Sequence, residues 1–434
     1  MLEVRDPIHG AMRISAEETR VVDHPFVQRL RNIFSTGFSY LPFPGATHSR
    51  YSHSLGVMHL AGKAFDSAFE DWRFKEPDAR QRFRSVVRLA ALCHDLGHSP
   101  FSHCTEFAMP ALDTLGLSWY NNDASTARRA THEDYTIGFL QHESLASLIA
   151  AHFPFSSRHV AALISWDVDI HDSFFVDNGL NHREILSQII SSEMDVDRLD
   201  YLVRDSYYSG ARYGQVDVGW LLTNMEAYAH DGRVSLALDS KAIYAFDDFM
   251  IARHHMFLMV YFHHKSVVYE ELMKRWVTSD ACDWVLPADM EEYMFWDDSS
   301  LQVHLRHSTN EWARRIVERR PYRRVYEAHG TPDEVDLTDE VALLQEAGID
   351  YIAAGSTGKL SRYNVFGQKR DKAPRIHVIS RDRGHASATV TTLDGATQVF
   401  QRYADARRLA RVYVSDNDEE KARALFAVFC GRQE

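Results

Sequence analysis

No run of eighteen apolar residues occurs in this 434-residue chain, so no membrane-spanning helix is expected. The N-terminus, MLEVRDPIHG, has none of the basic and then apolar layout of a secretory signal, and the cytoplasm is the expected compartment. Cysteine is scarce. Cys93, Cys104, Cys282 and Cys430 stand apart without a CxxC pair, which argues against a disulfide framework or a thiolate zinc site. Positive charge is also short: 48 Lys and Arg face 61 Asp and Glu, a formal net charge of −13, so the whole molecule repels phosphates at a distance. Phosphate contacts supply most of the affinity for long nucleic acid, and that partner is not expected. An anionic small substrate would need a local arginine or lysine cluster, or a metal, to overcome the field. Repeats and low-complexity tracts are absent too.

What the chain has is apolar surface to bury. At 45% hydrophobic it can form one large domain with an appendage. Helical patterns begin at HPFVQRLRNIF, with Pro25 at its start, and continue in FPGATHSRYSHSLGVMHLAGKAF and RSVVRLAALCHDLGHSPFSH, the last stopped by Gly97 and Pro100. After a polar loop around 115–130, further helices are predicted over THEDYTIGFLQHESLASLIAAHF and over 156–166, 182–207 and 245–276. From about 280 the texture changes to an acidic segment, then to the strand-like alternation of RIHVISRDRGHASATVTTLDGATQVFQRYA, and ends in the helical DEEKARALFAVFC. The fold class is therefore mainly α: a helical core over residues 1–275 and a smaller mixed α/β region over 276–434, a candidate for oligomerisation.

The chemistry concentrates in RLAALCHDLGHSPFSH, where an apolar helix meets His94, Asp95, His98 and His103. A His-Asp dipeptide alone is weak, since this composition yields roughly two by chance. Of the three present, His171-Asp172 and His230-Asp231 sit in polar, turn-like surroundings and read as surface. Only His94-Asp95 ends an apolar helix, where an unpartnered carboxylate and imidazole would be costly. A metal site, a hydrogen-bonded core pair and a plain helix end all fit that dipeptide. A divalent cation needs three or four ligands from several elements. His53 starts one helix, His94-Asp95 ends another, and EMDVDRLDYLVRDSYYSG supplies a third source. On a helix, Asp197, Tyr201 and Asp205 share one stripe, which reads as a site wall, while a solvated acidic face including Asp195, Asp200 and Arg204 is the plain alternative. RHHMFLMVYFHHK repeats the device with Arg253, Phe257, Tyr261 and Lys265, against the alternative of an amphipathic core helix.

In order, DPIHG, FPGATHSR, HSRYSHSLGVMHLAG, ALCHDLGHSPFSH, THED and DVDRLDYLVRD resemble the HD-domain metal phosphohydrolases, and more closely the SAM-and-HD-domain deoxynucleoside triphosphate triphosphohydrolases and their bacterial relatives. The likeness covers residues 4 to about 270, and no SAM domain is expected within these residues. It implies one divalent metal (manganese, iron or magnesium) on His53, His94, Asp95 and Asp197. The implied reaction cuts the bond between the α-phosphate and the 5′ oxygen, giving a nucleoside and inorganic triphosphate. The matching acid–base residues are His98, His103, His132 and Glu133, with His103 the expected proton donor and Glu106 orienting its ring. His132-Glu133 is preferred to His142-Glu143 because Thr131 and Asp134 make a helix cap around it. Arg50, Arg198 and Arg253 match phosphate-binding positions, with Lys265 as a possible fourth, and Tyr201, Asp205 and Tyr261 match residues bordering the sugar. The family also implies a homo-oligomer, dimer or tetramer.

Departures from the family concern selectivity. A Gln-Leu pair that excludes a 2′-hydroxyl is replaced by Ser35 and Thr36, a smaller and more polar wall that could admit ribose. Phe257 replaces a histidine beside the phosphates. Asp23, Gln28 and Arg31 match a regulatory guanine-nucleotide site, but Leu2 stands where that site has lysine, and QRLR can equally pack and salt-bridge on a short helix. Alternatives to triphosphate hydrolysis are an HD-type phosphohydrolase acting on a cyclic or signalling nucleotide or a nucleic-acid end, and a non-catalytic nucleotide-sensing scaffold.

Overall fold

The computed structural model describes residues 2–121, 127–171, 173–280, 282–331, 334–358, 375–381, 388–397, 399 and 407–430. Asp172, the side chain of Cys430, the middle of the polar loop and much of the strand-like segment after 375 lie outside the described residues.

The chain opens with a hairpin, β1 (Leu2–Asp6) and β2 (Gly10–Ile14), whose turn is tied by Asp6 Oδ1 accepting the Ile8 and His9 N–H groups at 2.9 Å. A Ser15–Glu18 capping box starts α1 (Ala16–Val22), and His24 caps α2 (Pro25–Arg29) with proline at its first position. α2 passes at once into a 3-10 turn, Leu30–Asn32, so the helix is shorter than HPFVQRLRNIF suggested. Two long helices follow, α3 (Arg50–Ala68) and α4 (Ala79–Cys93), packed side by side. α4 stops before Gly97 and Pro100. Gly97 instead lets the next turn press onto the following helix, since an added Cβ would lie 2.1 Å from the His132 carbonyl oxygen.

The Thr131–Asp134 box starts α5 (His132–Gln141) as predicted, and His142 caps α6 (Glu143–His152), a structural role for the second His-Glu pair. Next come α7 (Ser157–Ile164), α8 (Arg183–Ile190) and α9 (Val196–Ser209). The single helix expected over 182–207 is broken because Asp195 accepts the Ser192 and Arg198 N–H groups and starts a new helix. After α10 (Val218–Thr223), the helix expected over 245–276 is likewise two, α11 (Ile243–Met256) and α12 (His264–Val277), joined through a π-helical turn at Phe257–Tyr261. Strands Met225–His230 and Arg233–Asp239 form a hairpin that the helical reading of the core omitted, with His230-Asp231 at its turn.

The main core does not stop at residue 275: Trp276, Trp284, Tyr293 and Leu301 are buried with the residues of α3 and α4. Farther on, strand Arg407–Val414 lies between Arg323–Gly330 and Tyr351–Gly358 in an antiparallel sheet. A second, small core there includes Leu344, Val412 and Phe426, which gives the C-terminal region its mixed α/β character. Among the described residues no helix is long and apolar enough to cross a membrane.

Candidate functional site

Three helix ends meet at the expected metal residues. The first turn of α3 carries His53, the end of α4 carries His94 and Asp95, and the first turn of α9 carries Asp197. His53 Nε2 lies 3.0 Å from Asp197 Oδ1 and 3.6 Å from Asp95 Oδ2. His94 Nε2 lies 3.3 Å from Asp95 Oδ1 and 3.5 Å from Asp197 Oδ1, yet makes no hydrogen bond although it is buried. Each ring is aimed by its other nitrogen: His94 Nδ1 pairs with the Ala91 carbonyl at 2.7 Å, and His53 Nδ1 with Asp200 Oδ2 at 2.7 Å. Imidazoles anchored at Nδ1, with Nε2 atoms turned toward two carboxylates, are the donor set of a divalent cation. Burial opposes a charge on His53, but Asp197 and Asp200 raise its proton affinity to about 10, so this nest of carboxylates favours a positive charge.

Asp200 is the residue that the sequence reading undervalued. The plain alternative put Asp195, Asp200 and Arg204 on a solvated face; all three are buried. Asp200 Oδ1 lies 2.6 Å from His9 Nε2, and Arg204 pairs with Asp200 at 2.8 and 2.9 Å and with Asp6 at 2.7 Å. The N-terminal hairpin is thereby bonded to the carboxylate that holds His53. Gly56 makes room for it, because an added Cβ would sit 2.0 Å from Asp200 Oδ1. DPIHG was the available signal, but Asp6 and Arg204 are 198 positions apart and no local pattern pairs them.

Residues expected to act as acid and base form a second group. His98 Nε2 lies 3.3 Å from Asp95 Oδ1, and its ring stacks on His132 with centroids 4.0 Å apart. Burial and the nearby Arg50 hold His98 well below the usual imidazole range, so it stays neutral. Glu106 clamps two rings, His103 Nδ1 at 2.9 Å and His132 Nδ1 at 2.7 Å, and also accepts the His132 N–H. Burial works against a charge on His132, but Glu106 and Glu133 raise its proton affinity above the ordinary value. The expected donor, His103, is 64% exposed at its side chain, whereas His132 is 21% exposed. Glu106 thus serves both rings, and His132 is the better-held proton. Among the described residues, ligand atoms close enough to share a cation occur in His53, His94 and Asp95, and again in His98, His103 and His132.

Both groups line one cavity of about 520 Å³, together with Glu133, Tyr201, Asp205, Phe257, Tyr261 and the departure residues Ser35 and Thr36. The predicted stripe of α9 therefore faces the cavity. The second stripe does not hold together: Phe257 and Tyr261 reach the wall, Arg253 is buried but not among the lining residues, and Lys265, beyond the register shift of the π-helical turn, is exposed. The arginines are already paired. Arg50 Nη1 donates to Asp95 Oδ2 at 2.5 Å, Arg198 to Asp195, and Arg253 Nη1 is 3.8 Å from Glu193 Oε2. Buried guanidinium groups need such partners, so part of each arginine's donor capacity is already committed to a carboxylate. Asp205 accepts from Tyr261 Oη at 2.6 Å and pairs with His48 Nε2 at 2.7 Å, a partner that sequence reasoning missed. Outside the cavity, Arg31 lies over the Tyr51 ring at 3.7 Å and donates to Gln28 at 2.7 Å, with Asp23 exposed at the end of α1.

Comparison with known proteins matches the HD domain to residues 50–205 and the HD associated region to residues 216–348. The chain is an HD-domain protein. It is 29% identical over 323 residues to an uncharacterised protein, MJ1154, of Methanocaldococcus jannaschii, covering 74% of this chain and 59% of that one. It is 33% identical over 216 residues to the deoxynucleoside triphosphate triphosphohydrolase SAMHD1 of Gallus gallus, covering 47% of this chain and 33% of that protein. The chain thus spans a little over half of the first relative and a third of the second. A crystal structure of a hypothetical protein from Aquifex aeolicus shares the fold, with a TM-score of 0.73, 23% identity, and coverage of 98% and 99% of the two chains. The HD domain ends at the Asp205 that borders the cavity, so every expected metal and acid–base residue falls inside it.

Proposed function

We propose that this chain is a metal-dependent phosphohydrolase that splits nucleoside triphosphates at the α-phosphate into nucleoside and inorganic triphosphate. The observation that carries the reading is the convergence of His53, His94, Asp95 and Asp197 beside a Glu106-clamped pair of imidazoles in one cavity. A divalent cation held by the four would screen the α-phosphate against the charge that grows there. The side chains supply the rest. His98, kept neutral and with Nε2 toward Asp95, presents Nδ1 as an acceptor that orients the attacking water. His132, with its Nδ1 fixed on Glu106, delivers a proton from Nε2 to the departing 5′ oxygen. Arg50 and Arg198 offer the phosphates their remaining N–H groups. Ser35 and Thr36 line the cavity with small polar side chains, which supports including both ribonucleotides and deoxyribonucleotides in the substrate range.

The test is a product assay over ribo- and deoxynucleoside triphosphates with Mn²⁺, Fe²⁺ and Mg²⁺ titrations, alongside Asp197→Ala. Nucleoside and triphosphate from the wild type alone support the reading. Release of a monophosphate would move the substrate to another phosphoester, and no product from any nucleotide would refute it.

A further inference from the structure

One part of the cavity wall takes no part in the chemistry above. Val267 and Glu270, one turn apart on α12, face Ser39 and Cys104 from the two short 3-10 turns Gly37–Tyr40 and Ser102–Ala108. Ser35 and Thr36 lead directly into the Gly37–Tyr40 turn, and with Tyr261 they line the same cavity. Its chemistry is unusual. Cys104 Sγ donates to Glu270 Oε1 at 3.5 Å, and among the described residues no cationic side chain pairs with Glu270. Burial pushes the Glu270 carboxyl up to about 7, and Cys104 stays a thiol because burial and Glu270 itself hold it well above the usual range. A half-buried carboxyl in the cavity wall, bonded only to a weak thiol donor among the described residues, keeps acceptor capacity for a ligand's N–H groups.

We infer that Glu270 reads the base of the bound nucleotide and selects guanine. The inference rests on the nucleotide reading above. Among the common bases, only guanine presents two adjacent N–H donors, the ring N1–H and the exocyclic amine, that meet both oxygens of one carboxylate. Adenine and cytosine place an acceptor next to their amine, and uracil and thymine flank a single N–H with acceptors. Hypoxanthine keeps the ring N–H but lacks the amine, so it isolates one of the two contacts. A hydrogen bond to a charged acceptor is worth about 10- to 100-fold in affinity. Val267 supplies an apolar edge beside the carboxylate.

Because the nucleoside is a product and is not hydrolysed, binding can be read on the metal-loaded enzyme without turnover. Calorimetric titration with guanosine, inosine and adenosine above pH 8, where the Glu270 carboxyl is ionised, is predicted to give about 10- to 100-fold tighter binding of guanosine than of inosine. Glu270→Gln, which keeps one acceptor but swaps the other for a donor, is predicted to bring the two affinities together. Equal affinities in the wild type overturn the inference without recourse to any variant, as does a guanosine preference that survives Glu270→Gln. Turnover of the triphosphates is read separately. A guanosine preference with no turnover would remove the proposed reaction and leave the recognition standing.

Discussion

Asp200→Asn should weaken the metal site without removing a ligand. The carboxylate is fully buried, aims His53 through Nδ1 at 2.7 Å, and carries a two-point ion pair with Arg204. Asparagine keeps the shape, but one oxygen becomes an amide donor and the charge is lost. A carboxylate behind a histidine ligand is worth about 10- to 100-fold in metal affinity. The same change leaves Arg204 with Asp6 as its remaining anion. Breaking a buried pair costs about 3–5 kcal/mol, and the surviving Asp6 contact puts this case near the lower end, about 3 kcal/mol. The two effects separate experimentally. Competition with a chromogenic chelator reads metal affinity, and urea denaturation of the metal-free protein reads stability. Asp6→Asn is the control: it should lower stability while leaving metal affinity close to the wild-type value, because Asp6 does not touch a ligand. Should folded Asp200→Asn bind metal within threefold of the wild type, the positioning role is wrong and Asp200 is only a structural anion.

Three further outcomes follow from distances and burial. Gly56→Ala puts a Cβ 2.0 Å from Asp200 Oδ1, so the Asp200–Arg204 pair must shift away from α3; a loss of about 1–3 kcal/mol by denaturation and weaker metal binding are expected, and an unchanged metal affinity would contradict the close approach. Glu106→Gln frees both imidazoles, and kcat should fall by about 10²–10⁴ with KM little changed, while an unaltered kcat would exclude the clamp from proton transfer. Asp298 is buried while accepting the Phe101 and Phe34 N–H groups; burial, partly opposed by those bonds, raises its carboxyl from 3.8 to about 7. A raised folded value means that its contribution is fully present below the unfolded value and is lost as pH climbs through 7. Relative to Asp298→Asn, the wild type should therefore lose about 2–3 kcal/mol between pH 5 and 8, and a pH-independent difference in urea midpoints would refute the assignment.

The site was legible where local pattern carries the information. Pro25 at a helix start, the Thr131–Asp134 box and the stripe of Asp197, Tyr201 and Asp205 follow from spacing alone, and the ordered motifs bring His53, His94, Asp95 and Asp197 together as the resemblance implied. Long-range pairing was not legible. A charged residue on a helix reads as solvated until its partner is known, and the partners of Asp200 are His9, His53 and Arg204. The same blindness applies to the arginines, whose carboxylate partners no local pattern reveals. Helix continuity over 182–207 was overestimated because Asp195 serves as a cap inside an otherwise helical pattern. In 245–276 the apolar pattern runs unbroken through the π-helical turn, which leaves no proline or glycine to mark it.

The most direct measurement of the central claim is turnover in oxygen-18 water with Mn²⁺, followed by mass spectrometry of both products. Attack at the α-phosphorus beside the four-residue metal site predicts one heavy oxygen in the inorganic triphosphate and none in the nucleoside. Label in the nucleoside, or a nucleoside monophosphate with pyrophosphate in its place, would contradict the account.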